Sequence, residues 1–258
     1  CEEIKRNPVL EVNDVWFRYD PEKDYILKGV TFQIAFGKKV LLVGENGSGK
    51  TTLIKLILGF YKPEKGYIKI GGYDTADIPP DSRHKIFSAV FQDYARFEIS
   101  LSDNLEIGSH QKHDEKELRA LLDKVDGTSI FNTISSIDDT LGKKYEDGKD
   151  LSNGQWQKIA LIRAIAKEYS LLIMDEPTAA QDPMAEVVIY RNLIEQMVDK
   201  SGLLITHRLG AAKYCDSILV LKEGKISESG THAELINNRQ DYWQMYHIQK
   251  EWYDESID

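Results

Sequence analysis

Short apolar segments and longer amphipathic segments alternate along this chain. Alternating or β-branched apolar residues predict strands near its start, over 9–19, 29–36 and 66–74. Continuous apolar runs, typical of strands buried on both faces, cover 38–44, 170–175 and 202–207. A further segment, 217–230, has the pattern of a β-hairpin.

Helical periodicity predicts helices over 50–61, 114–125, 151–169, 183–198 and 232–253. Gly59 is expected to end the first helix, and Asp182 with Pro183 has the form of a cap followed by the first helical residue. Because strands alternate with helices, we predict an α/β fold with a mostly parallel sheet covered on both faces. The leading β segments, and a middle region with helical patterning from about Asp81 to Lys149, are predicted additions to this core.

Composition narrows the class of protein. The 258 residues are 41% hydrophobic and 29% charged, which suits one sizeable core with an appended subdomain. A formal net charge of -9 disfavours broad nucleic-acid binding, so we expect no nucleic-acid partner. Cys1 and Cys215 lack metal-ligand spacing, so we expect a free thiol and a small buried side chain, which fits a reducing compartment. The apolar runs are too short to span a bilayer and the start is polar, so any spanning part is expected elsewhere and no signal peptide is predicted.

A glycine-rich loop follows one predicted strand and opens the next helix. Gly44–Thr52 matches G-x-x-x-x-G-K-[ST], in which glycines let backbone N–H groups turn toward phosphate oxygens at a helix start. Lys50 is predicted to contact the β- and γ-phosphates, and Thr51 to bind Mg²⁺. A glycine turn without a ligand does not account for the strand, the spacing and the helix together. The predicted nucleotide-binding residues of this loop are Gly44, Asn46, Gly47, Ser48, Gly49, Lys50, Thr51 and Thr52.

Two carboxylates end a buried apolar run at Leu171–Glu176. Ligands of parallel sheets bind beyond the carboxyl ends of the strands, so Asp175 is predicted to reach the Mg²⁺ of the phosphate loop. Glu176 can take a proton from an attacking water or orient it. The plainer alternative is a pair of solvated surface acids.

A second helix start carries groups that suit an anion. In Leu151–Gln155, "LSNGQ", Ser152 and Gln155 have the S-x-x-Q spacing of a capping box. Helix capping alone is the structural alternative to a ligand-binding role.

In order and content, these motifs resemble those of the nucleotide-binding domain of ATP-binding cassette (ABC) proteins, and "LSNGQ" is similar to the family signature LSGGQ. The resemblance covers nearly the whole chain and implies one such domain over 1–258, with ATP and Mg²⁺ as cofactors. It implies a P-loop NTPase core, RecA-like, with an antiparallel β region, mainly from 1–80 and 156–258. A helical subdomain with the signature would occupy about 81–155.

The resemblance assigns roles to residues outside the three motifs. Gln92 would reach Mg²⁺ and link the site to a membrane partner, and His207 would lie beside the γ-phosphate as a catalytic residue with Glu176 and Lys50. Tyr19 would stack on adenine, and the nearby Tyr25 is an alternative candidate for that role. The plainer alternatives are that Tyr19 is a packed strand residue, that Gln92 is a surface glutamine and that His207 is only hydrogen-bonded.

The resemblance also implies why one domain has two helix starts suited to an anion, one at the phosphate loop and one at Leu151–Gln155. Two copies would pair head to tail, so that Ser152, Asn153, Gly154 and Gln155 face the γ-phosphate held by the second copy, most simply an identical one. Thr178–Asp182 would form the loop that crosses to the other subunit, with Asp182 at the nucleotide.

Two departures from the family pattern lie in these segments. Asn153 stands where the signature has glycine, and Gln181 stands where leucine is expected. Asparagine tolerates unusual backbone angles and its amide can donate to phosphate, so we expect the site to function. A more polar contact between subunits is expected at Gln181.

The segment Phe97–Gly108 resembles exporter-type cassettes, and Gly154–Gln157 resembles bacterial peptide and lantibiotic exporters. This implies ATP-driven export through a transmembrane domain contacted around Gln92 to Phe97, at the cytoplasmic face of the cell membrane. The chain would be the C-terminal half of a longer transporter or a free ATPase subunit. A soluble cassette ATPase and a non-catalytic ATP-dependent dimerisation module are the alternatives. Acidic charge disfavours the first of these, and the presence of Glu176 and His207 disfavours the second.

Overall fold

The computed structural model of the protein describes residues 9–109, 111–176, 183–197 and 199–255. Its strands are β1 (Leu10–Phe17), β2 (Leu27–Ile34), β3 (Lys39–Val43), β4 (Lys65–Ile70), β5 (Tyr73–Asp74), β6 (Phe87–Val90), β7 (Leu171–Asp175), β8 (Ser201–Ile205), β9 (Ser217–Lys222) and β10 (Lys225–Gly230). Its helices are α1 (Lys50–Ile57), α2 (Pro80–Arg83), α3 (Leu101–Ser109), α4 (Glu115–Lys124), α5 (Asn153–Ile165), α6 (Pro183–Gln196), α7 (His232–Asn238) and α8 (Asp241–Glu255). Short 3-10 helices cover Thr128–Asn132 and Leu209–Tyr214.

The larger sheet is mostly parallel and carries the nucleotide motifs. Its strand order is β10-β9-β3-β8-β7-β6, and every pair is parallel except β9 with β10. The central strands β3, β8 and β7 are buried along nearly their whole length, as their continuous apolar runs predict. Their carboxyl ends therefore meet at one edge of the sheet, where the phosphate loop, Asp175 and the segment after β8 come together.

A smaller antiparallel sheet, in the order β2-β1-β4-β5, covers one face of the core. Its central strand places Leu10 between Ile34 and Ile70, and all three side chains are fully buried. They belong to the same apolar cluster as Leu53 of α1 and Leu42 of β3. Burial of this face fixes α1, and with it the phosphate loop, against the larger sheet.

One core strand was not predicted. β6 runs parallel to β7, with Ala89 opposite Ile173, although the segment from Asp81 to Lys149 was expected to contain only helices and connections. Its four residues are too few to show a period, and Ser88 interrupts the apolar run. The Ser88 hydroxyl is buried and donates to the carbonyl of Ala164 at 2.7 Å, so the strand is held by tertiary contacts.

The ends of helices follow local backbone signals. The first helix ends at Ile57, just before Gly59, whose φ of 73° is easily adopted by glycine. The tail, predicted as one helix, is two helices, because Arg239 takes a left-handed conformation with φ of 54° between α7 and α8.

In the described part of the chain, no helix combines the length and the apolar character needed to cross a membrane. Cys215 is a free thiol there, and burial raises its pKa to about 12. Cys1 lies outside the described residues.

Candidate functional site

The phosphate loop joins β3 to α1 in a conformation that only glycine adopts at low cost. Gly47 and Gly49 have φ of 80° and 108°. A Cβ atom at Gly44 would lie 2.2 Å from the carbonyl oxygen of Leu221, so a side chain has no room there. The loop surrounds a cavity of about 410 Å³ at the start of α1. The predicted residues that line it are Asn46, Gly47, Gly49, Lys50, Thr51, Thr52, Gln92, Asp175 and Glu176.

Lys50 is held inside the loop by main-chain oxygens. Its ammonium donates to the carbonyl oxygens of Gly44, at 2.8 Å, and Glu45, at 3.0 Å. Burial lowers the pKa of Lys50, and the charges of Glu176 and Asp175 oppose that shift. The Ser48 hydroxyl is buried and has no hydrogen-bond partner in the described structure. A buried cation and an unpaired hydroxyl in a glycine cradle fit the phosphates of a nucleotide.

Asp175 ends β7 on the other side of this cavity. Burial, followed by the charge of Glu176, raises the pKa of Asp175 to about 6, and Lys50 opposes the shift. A divalent cation would favour the ionised carboxylate. Among the described residues, no group of three or more His, Cys, Asp or Glu side chains could hold a metal. Asp175, Thr51 and Gln92 line the cavity with oxygen donors, and such a set fits a Mg²⁺ ion that would take its remaining ligands from nucleotide phosphates and water.

Glu176 has a strained backbone and an ordered carboxylate. Its φ of 48° is rare outside glycine and costs about 1–2 kcal/mol. Its N–H donates to the carbonyl of Ile205 at 2.9 Å, which ties it to the end of β8. One carboxylate oxygen lies 3.2 Å from Nδ1 of His207. The neighbouring strands thus bring together the two residues assigned to the attacking water and the γ-phosphate.

His207 is positioned by two contacts that sequence reasoning missed. The Gln249 side chain, on α8, donates to the His207 carbonyl and accepts from the N–H of Leu209 at 2.9 Å. Gln249 also lines a second cavity, of about 700 Å³, together with Gln92, Glu176 and His207. No local pattern distinguishes one glutamine in an amphipathic tail helix, so only the tertiary contact reveals it.

The second contact is made by one buried carboxylate, which binds both residues that flank His207 in the sequence. Glu186 of α6 is 3% exposed, and its carboxylate accepts from the Arg208 guanidinium at 2.8 Å and from the Thr206 hydroxyl at 3.2 Å. The same hydroxyl accepts from the N–H of Arg208 at 2.9 Å. Since residues 206 and 208 are both held, the backbone of His207 has little freedom.

Tyr19 contacts the start of α1 next to the phosphate loop and Tyr25 does not, although neither side chain lines the two cavities. The Tyr19 hydroxyl donates to the Thr52 hydroxyl at 3.4 Å, and its ring is 46% exposed. Tyr25 instead donates to the Glu64 carboxylate at 3.0 Å, with the Arg18 guanidinium 4.7 Å from its ring centre. The exposed face of Tyr19 is therefore the one available to a nucleotide base.

The helix start at Leu151–Gln155 forms the predicted capping box. The Ser152 hydroxyl accepts from the N–H of Gln155 at 3.2 Å, and the Gln155 side chain accepts from the N–H of Ser152 at 2.9 Å. The Gln155 amide also donates to the Thr133 hydroxyl at 3.2 Å. Ser152 and Asn153 are exposed, and neither lines the two cavities at the phosphate loop. Capping is therefore real, and the surface of this helix start remains free for a ligand.

Part of the predicted site lies outside the described residues. This applies to the crossing segment Thr178–Asp182, including Gln181 and the predicted nucleotide contact Asp182. These roles remain predictions.

Replacing Asp175 by Asn should stabilise the nucleotide-free protein at pH 7.5 by about 1–3 kcal/mol. The folded-state pKa of about 6 lies above the ordinary aspartate value of 3.8, so ionisation destabilises the folded chain as the pH rises from about 4 through 6. Thermal unfolding at pH 7.5 and pH 4 measures the effect, with the exposed Asp147→Asn as the matched control. A gain that is equal at both pH values, or no gain at pH 7.5, would contradict the assignment.

Comparison of this chain with known proteins identifies the protein family to which it belongs. Residues 27–179 match the family model described as ABC transporter. The subtilin transport ATP-binding protein SpaT of Bacillus subtilis is 38% identical over 239 residues, which are 90% of this chain and 39% of that protein. The nisin transport ATP-binding protein NisT of Lactococcus lactis subsp. lactis is 33% identical over 245 residues, 93% of this chain and 40% of that protein. The chain thus spans about two fifths of the length of these relatives.

A solved structure of a bacterial Atm1-family ABC exporter with ATP bound superposes on this chain. The TM-score is 0.85 at 29% sequence identity, and the match covers 95% of this chain and 42% of the exporter chain. The predicted α/β fold, with a mostly parallel sheet and an added antiparallel sheet, is confirmed. The glycine cradle, the carboxylates that end β7 and the match over 27–179 together show that the chain belongs to the ABC transporter family, as an ATP-binding, ATP-hydrolysing domain.

Proposed function

We propose that this chain is the motor of an exporter, and that two copies close head to tail around two MgATP. Each copy supplies a phosphate loop to one site and the Leu151–Gln155 helix start to the other. Hydrolysis removes the γ-phosphates that join the copies, and the pair then opens. The resulting cycle of closing and opening is a two-state switch controlled by one phosphate at each site.

One observation supports the pairing above all others. The capped start of α5 is exposed, carries groups suited to an anion, and contributes nothing to the cavities around its own phosphate loop. A helix start of this kind can bind an anion supplied from outside the chain. In a two-fold arrangement, the nearest such anion is the γ-phosphate held by the second copy. Pairing with an identical copy is the simplest arrangement.

Within each copy, the residues around the phosphate loop have different roles in nucleotide binding and hydrolysis. The loop N–H groups, the Ser48 hydroxyl and Lys50 bind the phosphates, and Tyr19 stacks on the base. Thr51, Gln92 and Asp175 would hold Mg²⁺, which would supply positive charge beside the phosphate oxygens. Glu176 orients the attacking water or accepts its proton.

The Glu176–His207 contact of 3.2 Å supports a shared role at the γ-phosphate. Glu186 and Gln249 hold His207 in place for that role.

Coupling to transport requires a membrane partner. We place that contact at Gln92 to Phe97, because this loop extends from the nucleotide cavity to the surface. The relatives named for transport of subtilin and nisin are about two and a half times longer than this chain, which leaves room in them for a transmembrane domain. The motor would then act at the cytoplasmic face of the cell membrane.

ATPase rate as a function of protein concentration tests the pairing. We expect the rate at saturating MgATP to rise more steeply than linearly with protein, because two chains form each active unit. A strictly linear rate from a chain that gel filtration shows to be monomeric would contradict the proposal. Absence of turnover at every concentration would favour a non-catalytic dimerisation module instead.

A further inference from the structure

The edge of the larger sheet opposite the phosphate loop also encloses a cavity. Lys85 precedes β6 by two residues, Tyr169 precedes β7 by two, and Lys200 directly precedes β8. Because these strands are parallel, their amino ends meet at one edge of the sheet, whereas the phosphate loop follows the carboxyl end of β3. This amino-edge cavity has a volume of about 520 Å³, which is within the range of small-molecule sites. Its described lining residues are separate from those of the two cavities at the phosphate loop.

The lining of the amino-edge cavity is cationic, although the whole chain has a formal net charge of -9. Among the described residues, it contains four lysines and a single carboxylate, Glu168. The Glu168 side chain is 95% exposed and lies 2.6 Å from the Lys200 ammonium, so the two form a surface ion pair of little strength. The cationic residues of the lining are Lys85, Lys124, Lys167 and Lys200.

Much of this positive charge is not neutralised by the described residues. In the part of the chain that the structure describes, neither Lys85 nor Lys124 forms a side-chain hydrogen bond or an ion pair. The Lys167 ammonium donates to a main-chain oxygen, the carbonyl of His84, at 3.3 Å. Burial lowers the pKa of Lys167, and no described carboxylate offsets that shift. The cavity therefore favours an anion from outside the chain.

Helix capping is the plainer explanation for lysines at this place. The helices α4, α5 and α6 all end beside the cavity, where Lys124, Ile165 and Met197 line it. Each helix C-terminus carries a partial charge of about −0.5, so the three ends offset roughly 1.5 of the four positive charges. Glu168 offsets one more, and a positive charge of roughly 1.5 remains. Capping thus accounts for part of the positive charge and leaves enough to attract an anion.

The rest of the lining is largely apolar. Ile165 and Ala166 lie at the end of α5, Leu193 and Met197 lie at the end of α6, and the Tyr169 ring adds aromatic surface. Burial raises the pKa of Tyr169 to about 12, so its phenol is neutral at physiological pH. A ligand with an apolar body can bury that body against the ends of α5 and α6 while its head contacts the lysines.

We propose that the amino-edge cavity binds a small organic phosphate, in which a dianionic head is joined to an apolar body. Lys85 and Lys124, which lack partners among the described residues, favour a dianion, because two long and flexible side chains can reach one head group. Lys85 lies beside β6 and Lys124 ends α4, so a bound head group would join α4 to the larger sheet. This site is separate from the nucleotide site and does not depend on the pairing of two copies.

Calorimetric titration with 1-naphthyl phosphate tests the proposal, with MgADP at saturation so that the nucleotide site is occupied. We expect this probe to bind the parent chain with a Kd below about 1 mM. Inorganic phosphate, the head alone, and 1-naphthol, the body alone, should each bind at least about tenfold more weakly. Absence of probe binding in MgADP, or equal affinity for either fragment, overturns the proposal.

Variants of the two lysines locate the bound probe. Lys85→Gln combined with Lys124→Gln should weaken 1-naphthyl phosphate binding at least about tenfold, by loss of charge-assisted hydrogen bonds, with MgADP affinity unchanged. The matched control, Lys116→Gln combined with Lys225→Gln, removes the same charge at exposed residues outside the cavity and should bind the probe as the parent does.

A single surface change gives a second measurement in case the double variant is destabilised. Lys85 is exposed, so Lys85→Gln should keep the parental thermal unfolding temperature and still weaken probe binding at least about threefold. Parental affinity for the probe in both the single and the double variant overturns the proposal. An equal loss of affinity in the control pair does so too, because it would show an effect of net charge alone.

Discussion

Glu176→Gln is expected to reduce ATP hydrolysis by at least about 100-fold while nucleotide binding is retained. The amide keeps the shape of the side chain and can still bond to His207, which lies 3.2 Å away, but it no longer takes a proton from water. Closed pairs should therefore accumulate, since the γ-phosphates that join the copies are not removed. Gel filtration with MgATP should show a species with the mass of two chains.

The control for this variant is Glu146→Gln, at an exposed glutamate. It should hydrolyse ATP at the parental rate and elute as the parent does. A Glu176→Gln chain that remains monomeric at every MgATP concentration would refute the closed-pair mechanism. Turnover near the parental rate would instead show that another group activates the water.

Ser152→Arg is expected to abolish hydrolysis without weakening nucleotide binding by the single chain. In the proposed pair, the long cation would fill the space between the helix start and the γ-phosphate bound by the second copy. It would also remove the hydroxyl that accepts from the N–H of Gln155 at 3.2 Å, a loss of about 1 kcal/mol of helix capping. Binding should be unaffected because Ser152 lines neither cavity at its own phosphate loop.

Fluorescent-nucleotide titration and ATPase assays, with thermal unfolding to verify the fold, measure these two effects separately. Ser229→Arg, on the edge strand β10, introduces the same side chain at an exposed position and should hydrolyse ATP normally. Normal hydrolysis by Ser152→Arg would show that the helix start is not part of the partner's site. Loss of nucleotide binding would show that it belongs to the chain's own site.

Much of the candidate site could be predicted because its signals are local. The phosphate loop needs glycines at fixed spacing between a strand and a helix, and Gly44, Gly47 and Gly49 meet that need in the fold. The capping box depends only on Ser152 and Gln155, three residues apart, and it forms as expected. Backbone geometry and hydrogen bonding over a few residues suffice for both motifs.

The residues that position the site could not be predicted, because each acts across a long sequence separation. Gln249 holds the backbone at His207 from α8, and Glu186 holds Thr206 and Arg208 from α6. A glutamine or glutamate on an amphipathic helix has no local feature that identifies its partner.

The sequence by itself determined the glycine-rich loop between a strand and a helix, the carboxylates that end a buried strand and the capping box at Leu151–Gln155, since these properties depend on neighbouring residues. Only the tertiary structure decided that β6 belongs to the core sheet, that Glu176 lies beside His207, and that Tyr94 contacts the start of α5. Those relations depend on which strands are adjacent and on how α5 packs against the loop after Gln92. Packing of this kind is a property of the whole chain, and no local pattern encodes it.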